Sequence, residues 1–210
     1  LVGSEMCIRD SHHGDAAGRR VALRPEQQGA LMAMTYREAC IQAVQDVLES
    51  RLQENPSRSF SMWRDRRTDV TPEDCDQDGA VINIAPGDQT TTDSEVIGED
   101  VHVLEIRVES HMAPPLQDEP TDPESARVPS DLENAQLSRD LSLLHAEIFE
   151  ALTDPNAEPW CPEWIEDVRV TDSQFDLMTV EQSDRPFGRV VLLVQVSYRT
   201  PRGMAFLPAD

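Results

Sequence analysis

Between residues 36 and 54 the apolar positions are Cys40, Ala43, Val44, Val47, Leu48 and Leu52. Their recurrence at three and four residues draws one stripe down a helix. Thr35 stands where an N-cap is needed, Glu38 three residues on fits a capping box, and Asn55-Pro56 ends the run. The same pattern returns at Leu137, Leu141, Leu144, His145, Ile148, Phe149 and Leu152, opened by a second capping box at Ser130–Glu133 and closed by Asp154-Pro155. Two amphipathic helices are therefore predicted.

Elsewhere the period is two. Ser59–Arg66 reads as a short strand, followed by a polar, acidic loop to Gly79. Ala80–Ala85 reads as a second strand, closed by the turn pair Pro86-Gly87. Over Val101–His111, Val101, Val103, Ile106 and Val108 are apolar, with His102, Glu105, Arg107 and Glu109 between them. That is the mark of a strand with one wet face. Trp160–Glu166 is a proline-bounded connector, Val168 to about Val180 is one strand or two short ones, and Ser183–Gly188 turns the chain. Arg189–Arg199 is the most apolar segment and reads as an internal strand, with Val190, Leu192, Val194 and Val196 facing opposite to Val191, Leu193 and Gln195. The order predicts an α+β two-layer sandwich, a mostly antiparallel sheet of four to five strands with both amphipathic helices packed on one face. The other face is expected to be polar, and its edges to need a partner or protection.

Of 210 residues, 39% are hydrophobic and 15 are proline, which fits one domain with added loop. The domain is expected over residues 34–210. The opening string Leu1-Val-Gly-Ser-Glu-Met-Cys-Ile-Arg-Asp-Ser11 resembles translated sequencing-adapter read-through, and residues 12–33 look like translated upstream sequence. Residues 1–33 are thus set aside as disordered, with Met32 or Met34 as the true start. Residues 113–129 hold five prolines and a run of acids, a composition expected to form a mobile loop.

The formal charge is -22, from 40 acids against 18 basic residues, all of them arginine. Such a composition fits a GC-rich genome and argues against a grip on nucleic acid, which needs clustered positive charge. The one basic cluster is Arg64, Arg66 and Arg67, either a solvated strand end or a subunit-contact patch. Cys7, Cys40, Cys75 and Cys161 show no metal or disulfide spacing, which points to a reducing compartment, with Cys40 on the apolar face of the first helix. No apolar run reaches the roughly 20 residues of a membrane span, so a soluble protein without membrane contact is expected.

Candidate chemistry is sparse. Asp74–Gly79 matches the start of a calcium loop, but the twelfth position is Ala85 where a bidentate carboxylate is required, so the string reads as an acidic turn before a strand. His102, His111 and His145 lack a nucleophile signature beside them. There is no glycine-rich phosphate loop. No catalytic residue, cofactor or metal is assigned, and a non-enzymatic role is expected.

From Met34 onward the chain resembles the tail terminator (tail completion) family of long-tailed phages, the family of the lambda minor tail protein U. The carriers are the opening helix beginning Met34-Thr-Tyr-Arg-Glu-Ala, the arginine-bearing strand Met62-Trp-Arg-Asp-Arg-Arg67, the strand ending at Ile84, and Leu104–Ser110 leading through a loop to a long helix. The closing segment Arg189–Gly203, with its Tyr198-Arg-Thr ending, completes the likeness. The resemblance implies a homo-oligomeric ring, expected to be a hexamer, on the head-proximal end of the tail in the virion, assembled in the host cytoplasm. Its partners would be the tail tube protein and a neck (head completion) protein, with DNA passing through the pore unbound. Arg64, Arg66 and Arg67 would be subunit-interface candidates. Other readings are a different head–tail joining subunit or an acidic calcium-binding or adaptor module.

Overall fold

In a computed structural model of the chain, the first helix, α1 (Tyr36–Gln53), begins where the stripe placed it. The structure describes residues 34–55, 59–94, 96–114, 131–154, 160, 163–179 and 186–208. The segment 1–33, most of the proline-rich stretch (from 115), the Ser130 cap, Pro155 and the turn residues 183–185 lie outside the described residues. Thr35 Oγ1 accepts the Glu38 backbone N–H at 3.1 Å, while the Glu38 carboxylate pairs with Arg64 at 2.7 Å rather than turning back to the cap. Cys40, Val44, Val47, Leu48 and Leu52 are buried in the core.

The remaining elements are β1 (Phe60–Arg64), a short helix α2 (Pro72–Asp78), β2 (Ala80–Asp93), β3 (Glu99–Met112), α3 (Asp131–Thr153), β4 (Ile165–Thr179) and β5 (Pro186–Pro201). The five strands form one sheet in the order β1-β2-β3-β5-β4. Three of its four pairings are antiparallel. One face carries Ile82, Ile84, Leu104, Ile106, Val108, Leu192, Val194 and Val196 into a single core with the stripes of α1 and α3. Each such side chain stabilises the fold by about 1.5–3 kcal/mol through removal from water. The fold is α+β with both long helices on that face, as the periodicities predicted.

The details depart from expectation in physically legible ways. The β1–β2 pair is parallel, which requires a crossover, and α2 lies in that crossover where a plain acidic loop was expected. Thr71-Pro72-Glu73-Asp74 is itself a helix start: proline in the first turn, and Asp74 Oδ2 accepting the Thr71 backbone N–H at 2.8 Å. Gly79 ends α2 at φ 77, and a Cβ there would lie 2.3 Å from the Ser59 carbonyl oxygen, so only glycine fits without displacement. Strand β2 does not stop at Pro86-Gly87. Its register against β3 shifts between Pro86 and Gln89, a bulge of the kind where a proline is accommodated within a strand. The strand then runs on to Asp93, hairpinned to β3.

Strand β3 pairs with β5 without a break from Glu99 to Met112. Its phase therefore never changes: Leu104, Ile106 and Val108 face the helices, while Val101 and Val103 fall on the opposite face. The helix-free face is not uniformly polar either. At one end Cys75, Val81 and Phe187 form a second small core with Val70 and Ala113, roofed by α2. Strand β4 is a single strand with irregularities between Ile165 and Asp167 and between Val170 and Asp172.

Candidate functional site

The arginine cluster sits at the β1 edge. Period two sends Phe60 and Met62 towards the main core and leaves Trp63, paired with Asn83, on the helix-free face. Asp65 adopts a left-handed φ of 50°, which aspartate tolerates, and ends the strand there. Its N–H still donates to the Ile84 carbonyl at 2.9 Å. Buried Asn83 then holds the turn: its Oδ1 accepts the Arg66 N–H at 3.0 Å and its Nδ2 donates to the Arg66 carbonyl at 3.2 Å.

The three arginines diverge. Arg64 pairs with Glu38 on α1. Arg66 donates to Asp74 at 2.9 Å and lies over the Trp63 ring, 5.2 Å from its centroid. The backbone N–H of Thr71, then Arg66, hold the Asp74 carboxyl below the usual carboxylate range. The first carboxylate of the calcium-like string therefore caps its own helix and anchors an arginine, so the string is a helix, neither calcium loop nor turn. Among the described residues Arg67 pairs with Asp65, at 3.6 Å, with its side chain 87% exposed.

The opposite edge of the sheet is built by β4 and α3. The irregularity after Val170 shifts the alternation, so Phe175 and Leu177, paired with Val190 and Gly188, stand on the helix face in place of Asp172 and Asp176. Phe175 meets His145 of α3 at 4.7 Å between ring centroids, and Phe149 lies one turn further along. Phe149, Phe175 and Leu177 are 41%, 49% and 56% exposed, leaving an apolar patch at this flank. The sequence pattern put Phe149 inside the core; it lies at the margin.

Among the described residues the histidines show no catalytic arrangement. His102 Nε2 contacts Thr200 Oγ1 at 2.9 Å, but its Nδ1 faces Thr91 and Gln89 rather than a carboxylate, and Thr200 is buried. Stacked 4.9 Å from Tyr198, it ties three strands together. His111 stacks on Phe187 inside the small core, and burial pushes its pKa down to about 4. Cys40 and Cys75 are buried, and burial pushes the Cys40 thiol up to about 12.

Described residues line at least two hollows. One of about 280 Å³ on the helix-free face is lined by Arg107, Asp172, Gln174, Arg189, Val191 and Leu193. Its charges are matched in place, Arg107 to Glu109 and Arg189 to Asp176. The other, about 250 Å³, lies between the end of α3 and the start of β4 beside Trp160. Among the described residues no group of three or more His, Cys, Asp or Glu side chains is set to hold a metal ion. No helix among them is long and apolar enough to cross a membrane. Comparison with protein-family models and with curated proteins found no match.

Proposed function

We propose that this chain is a structural subunit that assembles into a closed ring capping the tail tube of a long-tailed phage, ending its polymerisation and joining it to the neck. The observation that carries the reading is the pair of unlike sheet edges. The five-residue β1 edge bears arginines and a tryptophan, while the 15-residue β4 edge is acidic with exposed aromatic side chains beside it. Unlike, complementary surfaces on opposite sides of a subunit are what a head-to-tail contact requires, and such contacts close into rings when the rotation per subunit permits. The strongly acidic composition suits a pore, because an acidic wall repels DNA phosphates and lets a genome slide.

The test is the assembled mass by sedimentation velocity, with negative-stain images of the same sample. Rings of one discrete size are expected, six subunits by the family resemblance. A protein that stays monomeric at high concentration would overturn the reading. Added purified tail tubes should be bound at one end only.

A further inference from the structure

We infer that α2 is an acid-operated flap: a proton taken up by His111 lifts residues 67–78 off the helix-free face and bares the small core beneath. The inference is independent of the ring reading. His111 is 6% exposed and lies between Val81 of β2 and Arg189 of β5 in the sheet register. Its ring stacks on Phe187, and neither Nδ1 nor Nε2 has a hydrogen-bond partner among the described residues. A neutral imidazole carries one N–H and one bare nitrogen, so the closed state already holds a buried donor and a buried acceptor unmet. Protonation adds a charge and a second unmet N–H.

The charged groups around the ring do not accommodate it. Glu109 on β3 favours the proton, but its carboxylate already accepts from Arg107 and lies 3.9 Å from Arg189. Arg107, Arg189 and Arg66 all oppose the proton. Helix α2 carries Glu73, Asp74, Asp76 and Asp78, and Asp74 is committed to Arg66. Relief therefore comes from water, which the flap excludes.

The segment has fixed ends and a weak middle. Asn83 clamps the Arg66 backbone at one end, and Gly79, at φ 77, turns the chain into β2 at the other. Between them α2 has seven residues, and a helix that short does not hold in water without a surface to pack on. Cys75, Val81 and Phe187, with Val70 and Ala113, form a core separate from the main one. The flap can thus open while both long helices stay packed. The Arg66–Asp74 pair survives mild acid, because the Asp74 carboxyl is held below the usual carboxylate range. The trigger is the ring.

Two buried thiols read the motion separately, Cys75 in the small core and Cys40 in the main one. The full chain is pulsed with dithiodipyridine, which labels thiols in acid as well as at neutral pH, and peptide mass spectrometry reports each cysteine. Protection is the labelling rate in denaturant divided by that of the native chain at the same pH. With His111 titrating at about 4 when closed and near 6.5 when open, Cys75 should lose about 20-fold in protection between pH 7 and pH 5. It should label faster than Cys40 throughout. H111F, with H111L as a second variant, should flatten the Cys75 profile, circular dichroism confirming the fold. D74A should speed Cys75 labelling at both pH values and keep its slope. The inference is overturned if Cys75 and Cys40 share one protection, which is global unfolding, or if Cys75 protection does not change with pH. It fails equally if both His111 variants keep the slope of the unaltered chain, or if D74A labels Cys75 no faster. None of these outcomes bears on assembly.

Discussion

His111 shows how one residue can tie stability to pH. Its ring is 6% exposed, stacked on Phe187, with Glu109, Arg107, Arg189 and Arg66 as the nearby charges. Burial is the largest influence and lowers its pKa to about 4, with Glu109 opposing and the arginines assisting. The folded state thus favours the neutral ring, while the unfolded chain takes up a proton near pH 6.5. Stability from this group is complete above about pH 6.5 and is lost as pH falls towards about 4. The loss is on the order of 3 kcal/mol. H111F should keep the stack and remove this dependence, so its melting temperature should fall less than that of the unaltered chain between pH 7 and pH 4. Parallel acid profiles for the two proteins would refute the assignment. Nothing in the alternation of β3 marked His111 as buried, because the small core around it depends on α2, which the acid-rich composition concealed. The arginine cluster, by contrast, was visible at once, but its sequence proximity hid that Arg64, Arg66 and Arg67 reach three different acids.

At the scale of elements, the helices were the most legible part, because a stripe at helical spacing needs only one periodicity to hold. Leu143 and Leu144 test this directly, being chemically identical neighbours on α3 that are 52% and 0% exposed. L144A should lose about 3 kcal/mol through lost burial and the cavity left behind. L143A should change stability by less than about 0.5 kcal/mol. Denaturant melts decide it: comparable losses would mean the helix is rotated from the orientation described. The strands were less legible wherever a bulge intervened. Pro86-Gly87 carries the composition of a turn, yet the register shift there continues the strand for a further stretch that is polar on both faces. Alternation from Val168 and Val170 would place Asp172 and Asp176 inward, and only the irregularity after Val170 turns Phe175 and Leu177 to the helix side. The exposed apolar patch at the β4 edge is therefore a product of register, which no short stretch of sequence encodes. The parallel β1–β2 pair was hidden for a related reason, since it follows from the crossover through α2.

At the scale of the whole molecule, the net charge decides how any assembly responds to salt. The charge of -22 belongs to residues 34–210, because residues 1–33 carry four acids and four arginines. Two copies in contact repel through this net charge, while the proposed edges attract through a few exposed groups. Range separates the two effects. At 0.01 M salt the screening length is about 30 Å, comparable to a small domain, so the net charges of whole subunits oppose each other; at 0.15 M it is about 8 Å and only charges near the contact matter. The attraction between matched edges acts at a few ångströms and is screened far less over this range. Repulsion should thus fade before attraction does, and an aromatic contact is insensitive to salt at these concentrations. The weight-average mass by sedimentation should rise between about 0.01 and 0.3 M salt and then level. A mass that falls steadily as salt is added would mean ion pairs hold the copies together, contrary to an apolar contact.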